Sequence, residues 1–328
     1  MQAITSRSYG TPEVVHVEEI DTPVPRKGEV LIRNYATVVS QAESTARNGK
    51  DPLARLYFGL ARPRFPVLGT GFAGEIQSIG SAVTKFRVGD QVTGSAGPTL
   101  GAHAEYVTVS ENGIIALKPA SLVPTDAVAV LDGALTALAF LRDAASLKSG
   151  QSILINGASG AVGTAAVQLA KHFGAVVTGV CSTANLDLVK SLGADIVIDY
   201  TAQDFTELGQ VYDVVFDAVG KSSYTRSRKL LKPGGIYLTT VPSLPILMWM
   251  LVTRIFGKTR AKIAFTGLRR AKAMALDVKF ISHLAASGHY VPVIDRTYNL
   301  KEAASAHARV QSGRKKGSVV LTLHDPGE

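Results

Sequence analysis

Residues 152–174 read SILINGASGAVGTAAVQLAKHFG, and the fold follows from how this stretch divides. SILIN is a short apolar run with β-forming residues, and AVGTAAVQLAKHFG has helical spacing and helix-forming composition. Between them stands Gly157-Ala-Ser-Gly160-Ala-Val-Gly163, a GxxGxxG series. Small residues at this spacing allow a tight strand-to-helix turn. They also let backbone N–H groups approach a pyrophosphate at the positive end of the helix. The placement directly after a strand and at a helix start is what gives the glycines meaning.

Working outward, strands and helices alternate. Ser152–Asn156 is a strand, Ala161–Phe173 a helix, Val176–Cys181 a strand, Leu186–Leu192 a helix and Ile196–Asp199 a strand. Val211–Asp217, a helix over Tyr224–Leu231 and a strand over Gly235–Val241 follow. This rhythm predicts a doubly wound parallel sheet. Helical patterning over 124–146, opened by Pro124-Thr125, leads into it.

The first third has a different grammar. Short alternating runs at Val14–Val17, Val30–Asn34, Ala73–Ile79 and Ala104–Val109 are punctuated by Lys27-Gly28 and Gly89-Asp90, which suggests a small, partly closed β-barrel. Ser40–Lys50 interrupts it as a helix or loop. The β-like segments Val291–Ile294 and Ser318–Leu323, with a helix over Lys301–Gln311 between them, suggest that the tail completes the first domain. The expected division is 1–122 with 293–328 as the substrate domain and 123–292 as the cofactor domain.

A dinucleotide site preferring NAD carries a carboxylate about 20 residues after the glycines. Here that place holds Cys181-Ser182-Thr183, with two hydroxyls and no acidic group, so the expected cofactor is NADP(H). The nearest base is Lys190.

The segments INGASGAVGTAAVQLAKHFGA, LVKSLGADIVIDY, YDVVFDAVG and LLKPGG, together with GEVLIRNYAT, FPVLGTGFAGEIQSIGSAV, FRVGDQV, HAEYV and GRKKGSVVLTL, resemble the medium-chain dehydrogenase/reductase superfamily on its zinc-free quinone-reductase side. The likeness covers nearly the whole chain in order. It implies an α/β Rossmann sheet inserted into a GroES-like barrel domain, with the active site in the cleft between them. It also assigns roles. Gly133 to Thr136 would lie beside the nicotinamide. Ser159, Gly160, Ala161 and Val162, with Gly157 and Gly163 shaping the turn, would cradle pyrophosphate. Ser182, Thr183 and Tyr200 would surround the adenosine ribose and its phosphate. Val219, in Asp217–Gly220, would lie on the adenine side, and Thr240, Val241 and Pro242 would face the carboxamide.

Departures from the family are informative. Zinc-dependent members place a Cys, a His-Glu pair and a second Cys around the metal, and those motif positions hold Ser40, Thr70-Gly71 and Asp132 here. Neutral hydroxyls are poor zinc ligands, and a four-cysteine structural lobe is absent from a chain whose only cysteine is Cys181. No zinc is expected. The stretch Ser40–Gly49 stands where the family has Asn-Pro-x-Asp…Arg, with Ser and Glu in place of Asn and Asp. The catalytic residue stays unassigned. Tyr57 is a candidate donor whose alternative is packing, and His103, His172 and His283 read as surface or core residues.

At 328 residues, 46% hydrophobic and 19% charged, the chain is globular and long enough for two domains. The N-terminus alternates like a strand, so no signal peptide is expected. The most apolar run, residues 244–252, falls short of the roughly 20 residues a membrane span needs. A lone cysteine fits a reducing compartment, and a cytoplasmic location is expected. The net charge of +9 is concentrated, because residues 218–276 hold twelve Lys or Arg and no Asp or Glu. That field suits a subunit contact, and the AKIAF stretch (residues 261–265) is a candidate edge strand for a homodimer. The apolar-basic segment 243–270 reads as that strand plus a flap, with a peripheral membrane contact as the sharper idea. No nucleic-acid partner is expected.

The expected function is zinc-independent hydride transfer from NADPH to a small hydrophobic quinone or α,β-unsaturated carbonyl. Reduction of simple aldehydes or ketones is one alternative. An NADPH-binding protein with vestigial catalysis and a basic face for RNA or lipid is another.

Overall fold

The computed structural model describes residues 1–324, with residues 53 and 54 described by backbone alone. The chain forms two compact units. One comprises Met1–Asp132, Arg269–Gly288 and the chain from Pro292 onward, and the other Gly133–Leu268 with His289–Val291. The sequence reading drew its divisions at 123 and 292. The difference arises because helix Pro124–Ala129 packs on strands Glu29–Val39 and Gly71–Ile79, and helix Ala271–Ala286 packs on strand Ile114–Leu117.

The first unit is built round the long strand Glu29–Val39. Its first half alternates between half-buried and buried residues, and from Asn34 onward every residue is buried, so it lies at the sheet edge of neither face. Residues 29–33 pair with Tyr106–Ser110 and residues 36–39 with Ser318–Thr322, both antiparallel. The other side pairs with Gly71–Ile79. Register shifts between Leu31 and Ile32 and between Asn34 and Ala36 bend the strand, which is how one strand serves three partners and curls the sheet. Strands Gln91–Ser95 and Ile114–Leu117 were missed in the sequence and complete seven. One apolar core fills the curl with Val30, Ile32, Phe72, Ile76, Val92 and Val107. Another joins Ile4, Val39, Leu68 and Val319 to helix Ala303–Gln311.

The second unit is a six-stranded, all-parallel sheet. In space the strands run Ile196–Asp199, Val176–Cys181, Ser152–Asn156, Tyr212–Asp217, Leu231–Thr239, Arg260–Lys262. Numbered along the chain this is the order 3-2-1-4-5-6 of dinucleotide-binding sheets, with the direction of winding reversing between the strands ending at Asn156 and Asp217.

Three segments differ from expectation. The helix read over 124–146 is broken at Asp132-Gly133, where Gly133 has φ 77°; it continues as Ala134–Leu138 and a wider π-helical turn, Ala139–Ala144. The run Pro124–Ala144 is long and apolar enough to cross a membrane by length and composition, and 61% of its 18-residue apolar window is buried in the fold. Segment 243–270 is not a flap beside a long strand. It forms a 13-residue helix, Leu244–Phe256, then the short edge strand Arg260–Lys262. Ser243 at the N-cap position and Pro245 in the first turn start that helix.

Candidate functional site

The carboxyl ends of the parallel strands collect most of the residues the sequence singled out. Asn156 lies level with Val180 and Asp217, Cys181 with Asp199, and Asp217 with Thr239. One rim therefore carries Gly157–Gly163, Ser182–Asn185, Tyr200–Thr201, Ala218–Gly220 and Thr240–Pro242. Thr136, on helix Ala134–Leu138, is half-buried in the same unit.

The glycines do three separate things. Gly157 turns the chain at φ 79°, and a Cβ there would sit 2.4 Å from Val219 Cγ1, so this turn and the 218–220 loop touch. At Gly163 a Cβ would lie 2.0 Å from the Gly157 carbonyl oxygen, which lets helix Ala161–His172 close onto the turn. A Cβ on Gly160 would meet nothing nearer than 3.7 Å, so that position faces open space. Gly160 caps the helix with no side-chain acceptor, and no acidic residue stands in the first turn. First-turn N–H groups have no intrahelical partner, so this is a backbone cradle at the positive end of a 12-residue helix.

Beside it, Asn185 Nδ2 donates to both Ser159 Oγ and Ser182 Oγ at 3.1 Å. Each serine oxygen is occupied as an acceptor, which leaves its own proton to donate outward. Asn185 was missed in the sequence, because only the return of the chain after Cys181 brings it back to Ser159.

Thr183 requires a correction. The region after the second strand does contain a carboxylate, contributed by the neighbouring strand. Thr183 Oγ1 donates to Asp199 Oδ2 at 2.6 Å, and the Thr201 hydroxyl and N–H donate to Oδ1 at 2.6 and 2.8 Å. The hydroxyls of Thr183 and Thr201 hold the Asp199 carboxyl below its usual range. Thr183 is thus spent on Asp199, while Ser182 and the exposed Tyr200 remain available. The register Asp199↔Cys181, which spacing alone does not reveal, makes the difference.

Asp217 anchors the 218–222 turn. It is fully buried. Its Oδ1 accepts from Asn156 Nδ2 (3.0 Å) and from the N–H of Val219 and Lys221 (both 3.3 Å), and its Oδ2 from Ser222 N–H (2.7 Å) and Tyr237 OH (3.3 Å). Burial, then this carboxylate, raises the Tyr237 phenol well above its ordinary pKa. Cys181 is likewise buried, and burial followed by the nearby Asp199 charge pushes its thiol up to about 11.

The first unit holds a second polar centre. Helix Gln41–Asn48 opens at Ser40, whose backbone N–H is taken up by the side chain of Glu43 in the first turn. Glu43 is fully buried; its Oε2 accepts from Ser40 N–H, and its Oε1 accepts from Thr70 N–H (2.8 Å) and Thr70 Oγ1 (2.9 Å). His103 Nε2 lies 2.8 Å from the Val38 carbonyl and 3.9 Å from Glu43 Oε2. The His103 ring stands 5.6 Å from that of His307, whose two nitrogens are buried without a hydrogen-bond partner. Burial, with His103 and Arg47 adding to it, drives His307 well below the usual imidazole pKa. Arg47, also buried, donates to the Gly10 carbonyl and Gln311 Oε1.

So Ser40 and Thr70 meet through Glu43, whereas Asp132 faces Lys315 at 3.7 Å. Among the described residues no three His, Cys, Asp or Glu side chains converge as metal ligands. The Tyr57 ring meets Phe58 edge-on and Phe65 at a tilt, with centroids 5.0 and 6.0 Å apart, and is partly exposed.

Comparison with known proteins agrees with this architecture. Residues 26–119 match the alcohol dehydrogenase GroES-like domain and residues 192–321 the zinc-binding dehydrogenase domain. The chain is 32% identical to the quinone oxidoreductase of Pseudomonas aeruginosa, over 96% of this chain and 97% of that one. It is also 32% identical to the 2-methylene-furan-3-one reductase of Solanum lycopersicum, over 98% and 79%. Among solved structures, the quinone oxidoreductase of Coxiella burnetii superposes with a TM-score of 0.88 at 29% identity, covering 99% of each chain. The Escherichia coli quinone oxidoreductase complexed with NADPH gives 0.85 at 26%, covering 98% of this chain and 100% of that one.

Proposed function

Since the chain belongs to the quinone oxidoreductase family of medium-chain dehydrogenases/reductases, which makes it an NADP(H)-dependent oxidoreductase, we propose that it reduces a quinone or an α,β-unsaturated carbonyl without zinc. The observation that carries this reading is the buried Ser40–Glu43–Thr70 network. Two of the three motif positions that would ligate a catalytic zinc are hydroxyl residues, and a carboxylate beside them is already committed to three donors. A zinc ion there would have to strip those hydrogen bonds, and neutral hydroxyls would hold it poorly.

The cofactor cradle supports the rest. Gly160 leaves room for a phosphate at an uncapped helix start. Ser159 is turned by Asn185 to donate to the pyrophosphate, and Ser182 to donate toward the 2′-phosphate, where Tyr200 adds an exposed phenol. Thr136, Val219, Thr240, Val241 and Pro242 line the remainder of the site in this proposal. When bound, NADPH supplies a hydride. An acceptor with a conjugated carbonyl spreads the resulting charge toward its oxygen, so hydrogen-bond donors can replace a Lewis acid there.

Following the loss of reduced-nicotinamide absorbance against quinones, enals, enones and saturated aldehydes tests the reading. Turnover with the conjugated acceptors and none with saturated aldehydes is expected. The opposite preference refutes it.

A further inference from the structure

Helix Leu244–Phe256 sits against the sheet by a narrow seat. Only Ile246 and Thr253 are buried, with Trp249 packed on Tyr224 at 5.0 Å between ring centroids. Thr253 fastens it: its hydroxyl donates to the Trp249 carbonyl at 2.6 Å and accepts from Ala261 N–H at 3.0 Å, tying the helix to the edge strand Arg260–Lys262. The seat fixes which face looks outward. That face is Leu244, Leu247, Met248, Leu251, Val252, Ile255 and Phe256, with Leu244 72% and Phe256 84% exposed. Leu244, Pro245, Met248, Trp249 and Val252 also line an open apolar groove of about 300 Å³. A contiguous exposed patch of large aliphatic and aromatic side chains on one helix is unusual for a soluble surface and marks a contact.

Charge selects the partner. Arg254, Lys258 and Arg260 are exposed at or just beyond the C-terminal end of this helix, and none of them forms an ion pair among the described residues. The surrounding stretch, residues 218–276, contains twelve Lys or Arg and no acidic residue. A second copy of the chain would bring the same cations against themselves. An apolar face offering no exposed hydroxyl or amide between Leu244 and Val252 gives nucleic acid little to hydrogen-bond. A surface that is apolar inside and anionic outside complements both features.

We propose that this helix docks the protein on an anionic lipid bilayer, its outer face entering the acyl boundary and Arg254, Lys258 and Arg260 engaging headgroup phosphates. The inference is independent of which acceptor the enzyme reduces.

Flotation of the full chain with vesicles of phosphatidylcholine, alone or with phosphatidylglycerol, tests it. Binding to the anionic vesicles is expected, at least about tenfold stronger than to neutral ones and weakening as salt rises. The variant Leu251→Asp with Phe256→Asp should lose about tenfold or more of that partition while keeping its thermal transition and its NADPH affinity. Should that pair destabilise the fold, Phe256→Ser, at the most exposed position, serves the same purpose. A wild-type protein that stays off anionic vesicles overturns the proposal, as does a folded variant that binds them equally well. So does a variant that converts a dimer to a monomer by light scattering, which would place a second copy on this face, or one that loses only RNA binding.

Discussion

Replacing Asp217 by Asn changes one oxygen to an amide and should still loosen the whole cofactor rim. The carboxylate accepts from five donors, and an amide can present only one oxygen to them. If Oδ1 keeps Asn156, Val219 and Lys221, the new Nδ2 faces Ser222 N–H across a 2.7 Å gap, donor against donor. A hydrogen bond to a charged group contributes about 1.5–3 kcal/mol, and a buried donor left unsatisfied costs about 1–3 kcal/mol. These overlap, so the expected loss is about 3 kcal/mol, or a fall in Tm of about 10 °C for this unit. Function suffers by a separate route. Val219 packs against Gly157, where even a Cβ would lie 2.4 Å away, so a shifted 218–222 turn moves the wall of the pyrophosphate cradle. NADPH affinity should weaken about tenfold, or roughly 1.4 kcal/mol. Calorimetry and nicotinamide fluorescence measure the two effects. A Tm within about 2 °C of wild type would refute the claim that this carboxylate anchors the turn.

Gly163→Ala should abolish NADPH binding or folding, since its Cβ would lie 2.0 Å from the Gly157 oxygen, whereas Gly160→Ala should fold normally and lose affinity alone; melting and fluorescence titration separate them. His307 has a depressed pKa in the folded state, so its share of stability is complete above the unfolded value near 6.5 and is lost as pH falls below it. His307→Leu should flatten that acid limb by up to about 1.4 kcal/mol per pH unit, read by denaturant melts across pH. Purified protein should hold no stoichiometric zinc and keep its activity in chelator, and elemental analysis finding about one metal per chain would reverse the reading of Ser40 and Thr70.

What the sequence made legible was what lies close along the chain. The strand-turn-helix round Gly157 is self-contained, and strands Ser152–Asn156, Val176–Cys181 and Ile196–Asp199 fall where the pattern put them. The strand expected at Gly235–Val241 instead covers Leu231–Thr239. Pro233-Gly234 looks like a breaker, yet a register shift against Tyr212–Val214 takes it up within the strand. Asp199 beside Thr183 and His307 beside His103 depend on pairing between distant segments, so no local pattern announces them. Ser40–Lys50 was legible as a helix or loop; the Thr70 contact that gathers Glu43 into a buried centre was not. Helix Leu244–Phe256 escaped because it is apolar almost all round, and a helix without a polar stripe has no period to detect.

Strand Glu29–Val39 and its partner Ser318–Thr322 lie on either side of the entire second unit, and this sets a timetable. Translation delivers the first strand early and its neighbour only after residues 133–268 have left the ribosome. Meanwhile residues 36–39 keep backbone groups on that side without the partner they find in the finished sheet. The strands of the parallel sheet all lie within residues 152–262 and can pair before Ser318–Thr322 emerges, since synthesis adds only about 5–20 residues per second. Until that strand arrives, the first unit lacks the partner that residues 36–39 have in the finished sheet, so its completion waits on the last strand of the chain.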